Sequence, residues 1–469
     1  MKADGYRTHS KQDQTRASLN VGYTFGEEQE VRLIVTGADI NQEVPGTLSL
    51  NAALTTPENA GAGVEANDWA RDQKVGRMTV QTHWRLSDDL VFEGGIYATA
   101  TSLHHPISIV IDQEIHTQGL FGRFDWNGTL GGHKADLFYG LSYRQGTSNQ
   151  GLYVNMGGQS GFQFGRGHQE ASGLDIFAEG RYFTTEKLAV VLGASYGKAT
   201  RDYTDRLNAT NNASKDFNWF APRIGLLWQG DTGTQIYANI TQSVEPPHYG
   251  ALVQSPVPQF VPVRAQKAVT GELGTRGKSG VFTWDVTLYR AQIKGELLSF
   301  SAATGYPAAF FNARNTVHQG LEASLDWRAP VAVGKLVVRQ TYAYSDFRFD
   351  NDPIYGDGRL PVVPEHQYRI ALNYAHPSGF FVEPAIDWRL SKVYVDYANT
   401  LKAPGYALLN LNTGWKLKSG VTLYIDARNL TDEKYVAEFG AVTDARTAST
   451  DVFYPGEGRS VFAGVAYRF

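Results

Sequence analysis

The sequence predicts an all-β chain curled into a transmembrane antiparallel β-barrel. Three observations predict it: strands that alternate apolar and polar residues, connections that alternate between short and long, and a last strand ending on an aromatic residue. In the stretch 281–289, Phe282, Trp284, Val286 and Leu288 are apolar while Thr283, Asp285 and Thr287 are polar. Leu321, Ala323, Leu325 and Trp327 repeat the pattern against Glu322, Ser324 and Asp326. So do Leu409, Leu411, Trp415 and Leu417 against Asn410, Asn412 and Lys416, and Val421, Leu423 and Ile425 against Thr422 and Asp426. A period of two residues puts successive side chains on opposite faces of a strand. Charges and amides on strand after strand are hard to bury in a soluble sandwich, but they suit a wall with lipid on one side and water on the other. A sandwich or propeller is the competing reading, and no repeat of about 40 residues marks propeller blades.

The connections point the same way. Short polar turns stand at 26–28, 87–89, 185–187, 230–233, 277–280, 377–379 and 418–420. Between them the sequence predicts long loops at 43–69, 148–168, 204–215, 244–263, 300–311, 350–362, 393–404 and 432–456. Outer-membrane barrels have short periplasmic turns and long extracellular loops. In the last strand Val461, Ala463, Val465 and Tyr467 share a face with the terminal Phe469. That ending resembles the signal read by the outer-membrane assembly machinery, so the C-terminus is expected in the periplasm and the long loops outside the cell.

Composition excludes several classes. No run approaches the roughly 18 apolar residues of a membrane helix. The mean hydropathy of -0.32 fits strands that are apolar on one face only. A net charge of -4 carries no basic footprint for nucleic acid. With no cysteine there is neither a disulfide framework nor a thiolate metal site. Histidines and carboxylates are scattered, the Gly-rich loops do not lead into helices, and no His-Glu-x-x-His pair occurs, so no enzyme, cofactor or bound catalytic metal is expected. Met1-Lys2-Ala3-Asp4-Gly5-Tyr6 does not read as a signal peptide. About nineteen strands fit between Gln14 and Phe469, whereas single-chain bacterial barrels have an even number.

Several stretches, in order, resemble signatures of the TonB-dependent receptor barrel. They are 5–10 (Gly-Tyr-Arg-Thr-His-Ser), 242–247 (Gln-Ser-Val-Glu-Pro-Pro), 265–277, 312–322, 360–366 (Leu-Pro-Val-Val-Pro-Glu-His) and 429–435 (Asn-Leu-Thr-Asp-Glu-Lys-Tyr), the last being the most specific. Each also has a local reading: Glu245-Pro246-Pro247 stops a strand, and Asn429 and Asp432 favour a turn. The resemblance implies a bacterial outer-membrane receptor that imports iron-siderophore-type ligands, energised through TonB. Receptors for haem, cobalamin, copper or glycans, and a passive porin-like barrel, remain alternatives. The family's barrel has roughly 22 strands and holds a plug. Residues 1–469 are therefore expected to be a barrel lacking its N-terminal part, with the plug and the TonB-binding segment missing.

A ferric chelate is often anionic or aromatic, so Arg, Tyr and His in the external loops are the candidate contacts. They are Tyr153, Arg166 and His168 in the expected loop 148–168, His248 and Tyr249 after Val244, and Tyr306, with Arg166, His168, His248 and Tyr249 expected to face the vestibule. His104 and His105 sit at a hairpin tip, where adjacent strand residues face opposite ways and cannot share a metal.

Overall fold

The structure is a computed structural model that describes residues 1–26, 28–254 and 259–468. Its main element is one antiparallel sheet of 20 strands, in which each strand pairs with the next one in the chain. The two-residue strand Lys2–Ala3 touches only the start of the first long strand, through Lys2↔Asp13 and Ala3↔Gln12. Nineteen long strands follow (20 − 1), matching the expected count. They are β1 Gln12–Phe25, β2 Gln29–Gln42, β3 Asp72–Ser87, β4 Leu90–Pro106, β5 Ile109–Leu130, β6 His133–Met156 and β7 Gln159–Phe183. Next come β8 Leu188–Asp205, β9 Ala213–Gln229, β10 Gln235–Glu245, β11 Gln266–Ser279, β12 Phe282–Lys294 and β13 Asn315–Ala329. The series ends with β14 Lys335–Phe349, β15 His366–Ala375, β16 Phe380–Arg389, β17 Tyr406–Lys416, β18 Val421–Arg428 and β19 Ser460–Tyr467.

Register turns the sequence alternation into two continuous faces. Val286, Ala323, Tyr342, Tyr368 and Trp388 lie opposite one another across β12 to β16. One residue along, the row reads Asp285, Ser324, Thr341, Arg369 and Asp387. The second face is closed by ion pairs, among them Arg369–Asp387 at 2.5 Å, Arg339–Asp326 at 2.9 Å and Arg223–Glu179 at 2.9 Å. Such a face belongs to the wet lumen, and the Leu, Ile, Val and Trp face belongs to lipid. Near the short turns the lipid face carries an aromatic row, Trp84, Phe92, Phe124 and Tyr139, with ring centroids 4.8–6.2 Å apart. This is the interfacial girdle of a membrane barrel.

Among the described residues most buried clusters lie in the loops and strand tips, and one, Phe183, Ala189, Val191 and Leu227 with Tyr237, lies on the sheet beside the short turns. Leu48 and Phe453 exchange backbone hydrogen bonds of 2.9 and 3.0 Å, tying the loop after β2 to the loop before β19. The two ends of the sheet therefore come round to meet at the extracellular mouth. Among the described residues no ladder joins β1 to β19.

The expected loop 148–168 is corrected. Those residues belong to β6 and β7, joined by the two-residue turn Gly157-Gly158 with φ of 64° and 88°. The stretch is rich in Gly, Ser, Asn and Gln, a composition that reads as loop. In the fold, the glycines leave room for neighbouring side chains. A Cβ on Gly151 would stand 2.6 Å from the Tyr153 ring, and one on Gly167 would stand 2.7 Å from the Tyr203 ring. Glu27, in the first short turn, and the terminal Phe469 lie outside the described residues.

The two faces should respond differently to charge. Ile386→Arg on the lipid face should lower the unfolding free energy by roughly 2–4 kcal/mol, as measured by urea titration in vesicles, and Thr341→Arg on the lumen face should change it little. Equal losses at both positions would contradict the assignment of faces.

Candidate ligand-binding vestibule

The loops at 43–71, 295–314 and 429–459 converge above the lumen. The first is held in shape by polar contacts. Ser49 caps the helix α1, Leu50–Thr55, by accepting from the Ala52 N–H at 3.3 Å. Arg7 donates to the carbonyls of Gly46 at 2.7 Å, Pro45 at 3.1 Å and Asn59 at 2.8 Å, so one guanidinium fixes three points of the loop. Val64 and Trp69 then pack on Ile107, Ile109, Ile111 and Leu152 at the tops of the hairpins.

Between these loops lies a cavity of about 470 Å³. Its wall includes Trp69, Arg71, His105, Phe300, Tyr306 and Tyr454. Trp69 is only 5% exposed, and its indole N–H has no hydrogen-bond partner among the described residues. A buried donor left in this state costs about 1–3 kcal/mol until something accepts from it. The Arg71 side chain is exposed and likewise has no partner among the described residues. His105 shares Nδ1 with the Ala70 carbonyl at 2.6 Å, which makes Nδ1 the N–H donor and leaves Nε2 as an acceptor. It stands at the extracellular tip of β4, beyond the membrane span. Burial, with Arg71 nearby, holds it below the ordinary histidine value. The cavity thus presents a cation with no partner among the described residues, set in aromatic walls with the unsatisfied Trp69 indole N–H sealed behind them, an arrangement suited to a compact anion with a flat or ring-bearing body.

The stretch 429–435 explains how the last loop is placed. Asn429 is 3% exposed and adopts φ 47°. Its side chain accepts from the Glu433 N–H at 2.8 Å and donates to the carbonyls of Glu433 at 2.9 Å and Glu457 at 3.1 Å. Its own N–H donates to the Asn410 side chain at 2.9 Å. Asp432 accepts from the Arg459 N–H at 2.8 Å, so both ends of the loop are clamped at its root. Higher up, the fully buried Asp396 accepts from the Thr400 and Leu401 N–H groups at 2.8 and 2.9 Å and from the Ala445 N–H at 3.3 Å. That links the loop 390–405 to the last loop. Tyr397, beside it, donates to the Ser299 carbonyl at 2.8 Å and meets Phe311 edge-on at 5.2 Å, and burial raises its hydroxyl above the ordinary tyrosine value.

The six sequence candidates fall into two groups. Tyr306 lines the cavity. His248 packs edge-on against Phe310 at 4.9 Å. Tyr249 donates to the Asp202 carbonyl at 2.9 Å, and burial pushes its hydroxyl up to about 12. Their loop is held over the lumen face by Lys215, which donates to the carbonyls of Pro262 and Val263 at 3.2 Å. Tyr153, Arg166 and His168 lie on a different face. The unbroken register from Gly151↔Arg166 to Tyr143↔Leu174 puts Arg166 and His168 on the face of Leu174 and Ile176, the outer wall above the membrane. There Tyr153 and Arg166 line a recess of about 660 Å³, while His168 bonds Asn149 at 2.8 Å and Glu170 at 2.9 Å. Arg71 and Trp69 were not singled out from the sequence. The one signal for them was an arginine and a tryptophan at the end of the longest early loop.

A family model described as "TonB dependent receptor-like, beta-barrel" matches residues 3–430. The chain belongs to the TonB-dependent receptor family. These receptors are outer-membrane transporters of Gram-negative bacteria, not enzymes. Similar solved structures include the ferric citrate transporter FecA in its unliganded form, with a TM-score of 0.82 and 16% identity over 97% of this chain and 70% of that one. The ferric-catecholate import receptor Fiu of E. coli K12 gives a TM-score of 0.78 and 15% identity over 99% of this chain and 76% of that one. The copper transporter OprC gives 0.76 and 15% over 100% and 74%. At these identities the likeness establishes the receptor fold and leaves the ligand to the chemistry of the vestibule.

The clamp at the foot of the last loop is open to test. Asn429→Ala removes three side-chain hydrogen bonds and puts a Cβ-bearing residue without a polar side chain at positive φ, so it should cost about 1–3 kcal/mol locally. Limited proteolysis should then cut within 429–459 faster than in the parent receptor while the strands stay protected. An unchanged cleavage rate would deny the clamp its role.

Proposed function

We propose that this receptor imports an anionic iron chelate of the siderophore or ferric citrate type, energised through TonB. The observation that supports the reading best is the Arg71 guanidinium, without a partner among the described residues, in an extracellular cavity walled by Trp69, Phe300 and Tyr306. A carboxylate or catecholate oxygen carried by a chelate matches that guanidinium, whereas a neutral sugar leaves its charge unmatched. Tyr306 and Phe300 supply aromatic surface, and His248 and Tyr249 stand by on the neighbouring loop. The relatives named for ferric citrate and ferric catecholate lend the same direction, and the one named for copper marks the main alternative cargo.

This reading also takes TonB and a plug as partners. The chain spans 97–100% of itself but only 70–76% of FecA, Fiu and OprC, and the remaining share of such receptors is where those parts would reside. Strands from the same share would also complete the wall between β1 and β19. On this reading the barrel is N-terminally incomplete over 1–469, and Phe469 carries the assembly signal.

Tryptophan fluorescence tests the site directly, because Trp69 lines it. Titration of the purified receptor with ferric citrate and with a ferric catecholate should show quenching. Arg71→Ala should weaken the better of the two by about tenfold or more, the effect of one charge-assisted hydrogen bond. Arg166→Ala, tested alongside, should leave the affinity unchanged. A loss confined to Arg166→Ala would move binding to the outer-wall recess, and no effect of Arg71→Ala on either chelate would overturn the vestibule reading.

A further inference from the structure

Two adjacent histidines at the tip of β4 face opposite sides of the wall, and their hydrogen bonds put them in different protonation states. His105 meets one acceptor, the Ala70 carbonyl, so a neutral ring with its proton on Nδ1 satisfies it. His104 meets two. Its Nδ1 stands 2.6 Å from Asp112 Oδ1, and its Nε2 stands 2.9 Å from the Gly158 carbonyl oxygen. An ionised carboxylate and a peptide carbonyl only accept, so both ring nitrogens carry a proton and the ring is an imidazolium. His168, on the same wall, also bridges two groups, Asn149 and Glu170. An amide can turn to present its N–H instead, so that pair of contacts does not force a charge.

Each bond of His104 joins a different element. Asp112 lies opposite it on β5, and its second oxygen accepts from the Ser160 hydroxyl at 2.9 Å, at the start of β7. Gly158 belongs to the turn between β6 and β7. Asn155 holds that turn from its other side. Its side chain accepts from the Gly158 N–H at 2.8 Å and donates to the carbonyls of Asn67 at 2.8 Å and Ile107 at 2.7 Å. A Cβ on Gly158 would stand 2.9 Å from the Asp68 carboxylate, so the turn lies directly against the loop that carries Trp69 and Arg71. The charged groups around the ring are Asp112 and Glu114 from β5, Asp72 from β3, Arg166 from β7 and Arg206 beyond β8, with Asp68 across the turn. Burial pushes the His104 ring down, but the bonds to Asp112 and Gly158 and the charges of Asp112 and Asp72 outweigh it and leave the ring above the ordinary histidine value.

We propose that His104 is a proton-operated latch on the β6–β7 hairpin, closed while its ring is an imidazolium and released when the ring gives up a proton to water. A neutral imidazole has one N–H and one lone pair. The Asp112 carboxylate holds the proton at Nδ1 more strongly than a neutral carbonyl holds the one at Nε2, so the proton leaves Nε2. The Nε2 lone pair then faces the Gly158 carbonyl oxygen at 2.9 Å, and the turn moves off the wall. Because folding raises the ring's value, the latch is fully closed below the ordinary histidine value of 6.5 and opens as pH rises through the higher value of the folded receptor. The loop at 43–71 is therefore braced in acid surroundings and loosened in alkaline ones.

Hydrogen–deuterium exchange of the whole receptor, read by mass spectrometry from about pH 5 to about pH 9 and corrected for the chemical exchange rate, provides the test. Peptides covering 153–161 and 63–70 should exchange about tenfold faster above the His104 midpoint than below it, the effect of one hydrogen bond from a charged donor. Peptides of the membrane-spanning strands should keep their protection throughout. His104→Gln, which offers the same donors at every pH, should abolish the step. Asp112→Asn should keep the latch closed in acid and move the midpoint to lower pH, because the carboxylate no longer holds the ring's charge. His168→Gln should alter neither the step nor its midpoint. Exchange independent of pH in the parent, a step that survives His104→Gln, or a midpoint unmoved by Asp112→Asn overturns the proposal.

Discussion

A peptide N–H or C=O left unpaired in hydrocarbon costs several kcal/mol, so a strand can cross a bilayer only if its ladder is complete on both sides. That requirement organises the whole chain. It forces long antiparallel neighbours, it forbids irregular backbone at membrane depth, and it fixes register strand by strand. Once register is fixed, a sequence period of two becomes two chemical surfaces: Val286 to Trp388 toward lipid and Asp285 to Asp387 toward water. The same requirement applies to the edges of β1 and β19, which no ladder joins among the described residues.

Because the sheet leaves its interior wet, most of the packing among the described residues is displaced to the mouth. Leu48, Val395, Val436, Val442 and Phe453 form one buried cluster there, and Phe349, Leu360 and Tyr397 belong to another. Loops that carry their own cores can present side chains at fixed positions, which a solvated loop cannot. The root clamp at Asn429, the buried Asp396 and the triple-carbonyl grip of Arg7 all act to this end. Function follows from their rigidity. The cavity that holds Trp69 and Arg71 exists because three loops remote in sequence are each tied down independently.

The wall carries chemistry on its outside as well. Tyr153 and Arg166 line an outer recess above the membrane, and an apolar groove runs along the lipid face of β8 to β14. The space over Gly151 in the outer recess is taken by the Tyr153 ring, so the glycine there makes room for a neighbour.

The sequence by itself determined the fold class, the strand count, the faces and the family. All of these rest on local alternation and on short motifs, and the ladder leaves little freedom to depart from them. It misread 148–168, because glycine-rich composition signals a turn equally well whether the glycines bend the chain or make room for the Tyr153 and Tyr203 rings. Only tertiary structure decided which face Arg166 and His168 occupy, since that depends on a strand register running unbroken from the membrane to the tip. Only tertiary structure brought Arg71, His105 and Tyr306 together, because 43–71, the β4 tip and 295–314 meet through contacts between residues distant in the chain. Tyr306 was legible as an aromatic in a loop. Arg71 was not, because an arginine's lack of a partner becomes a property only once its neighbours are in place.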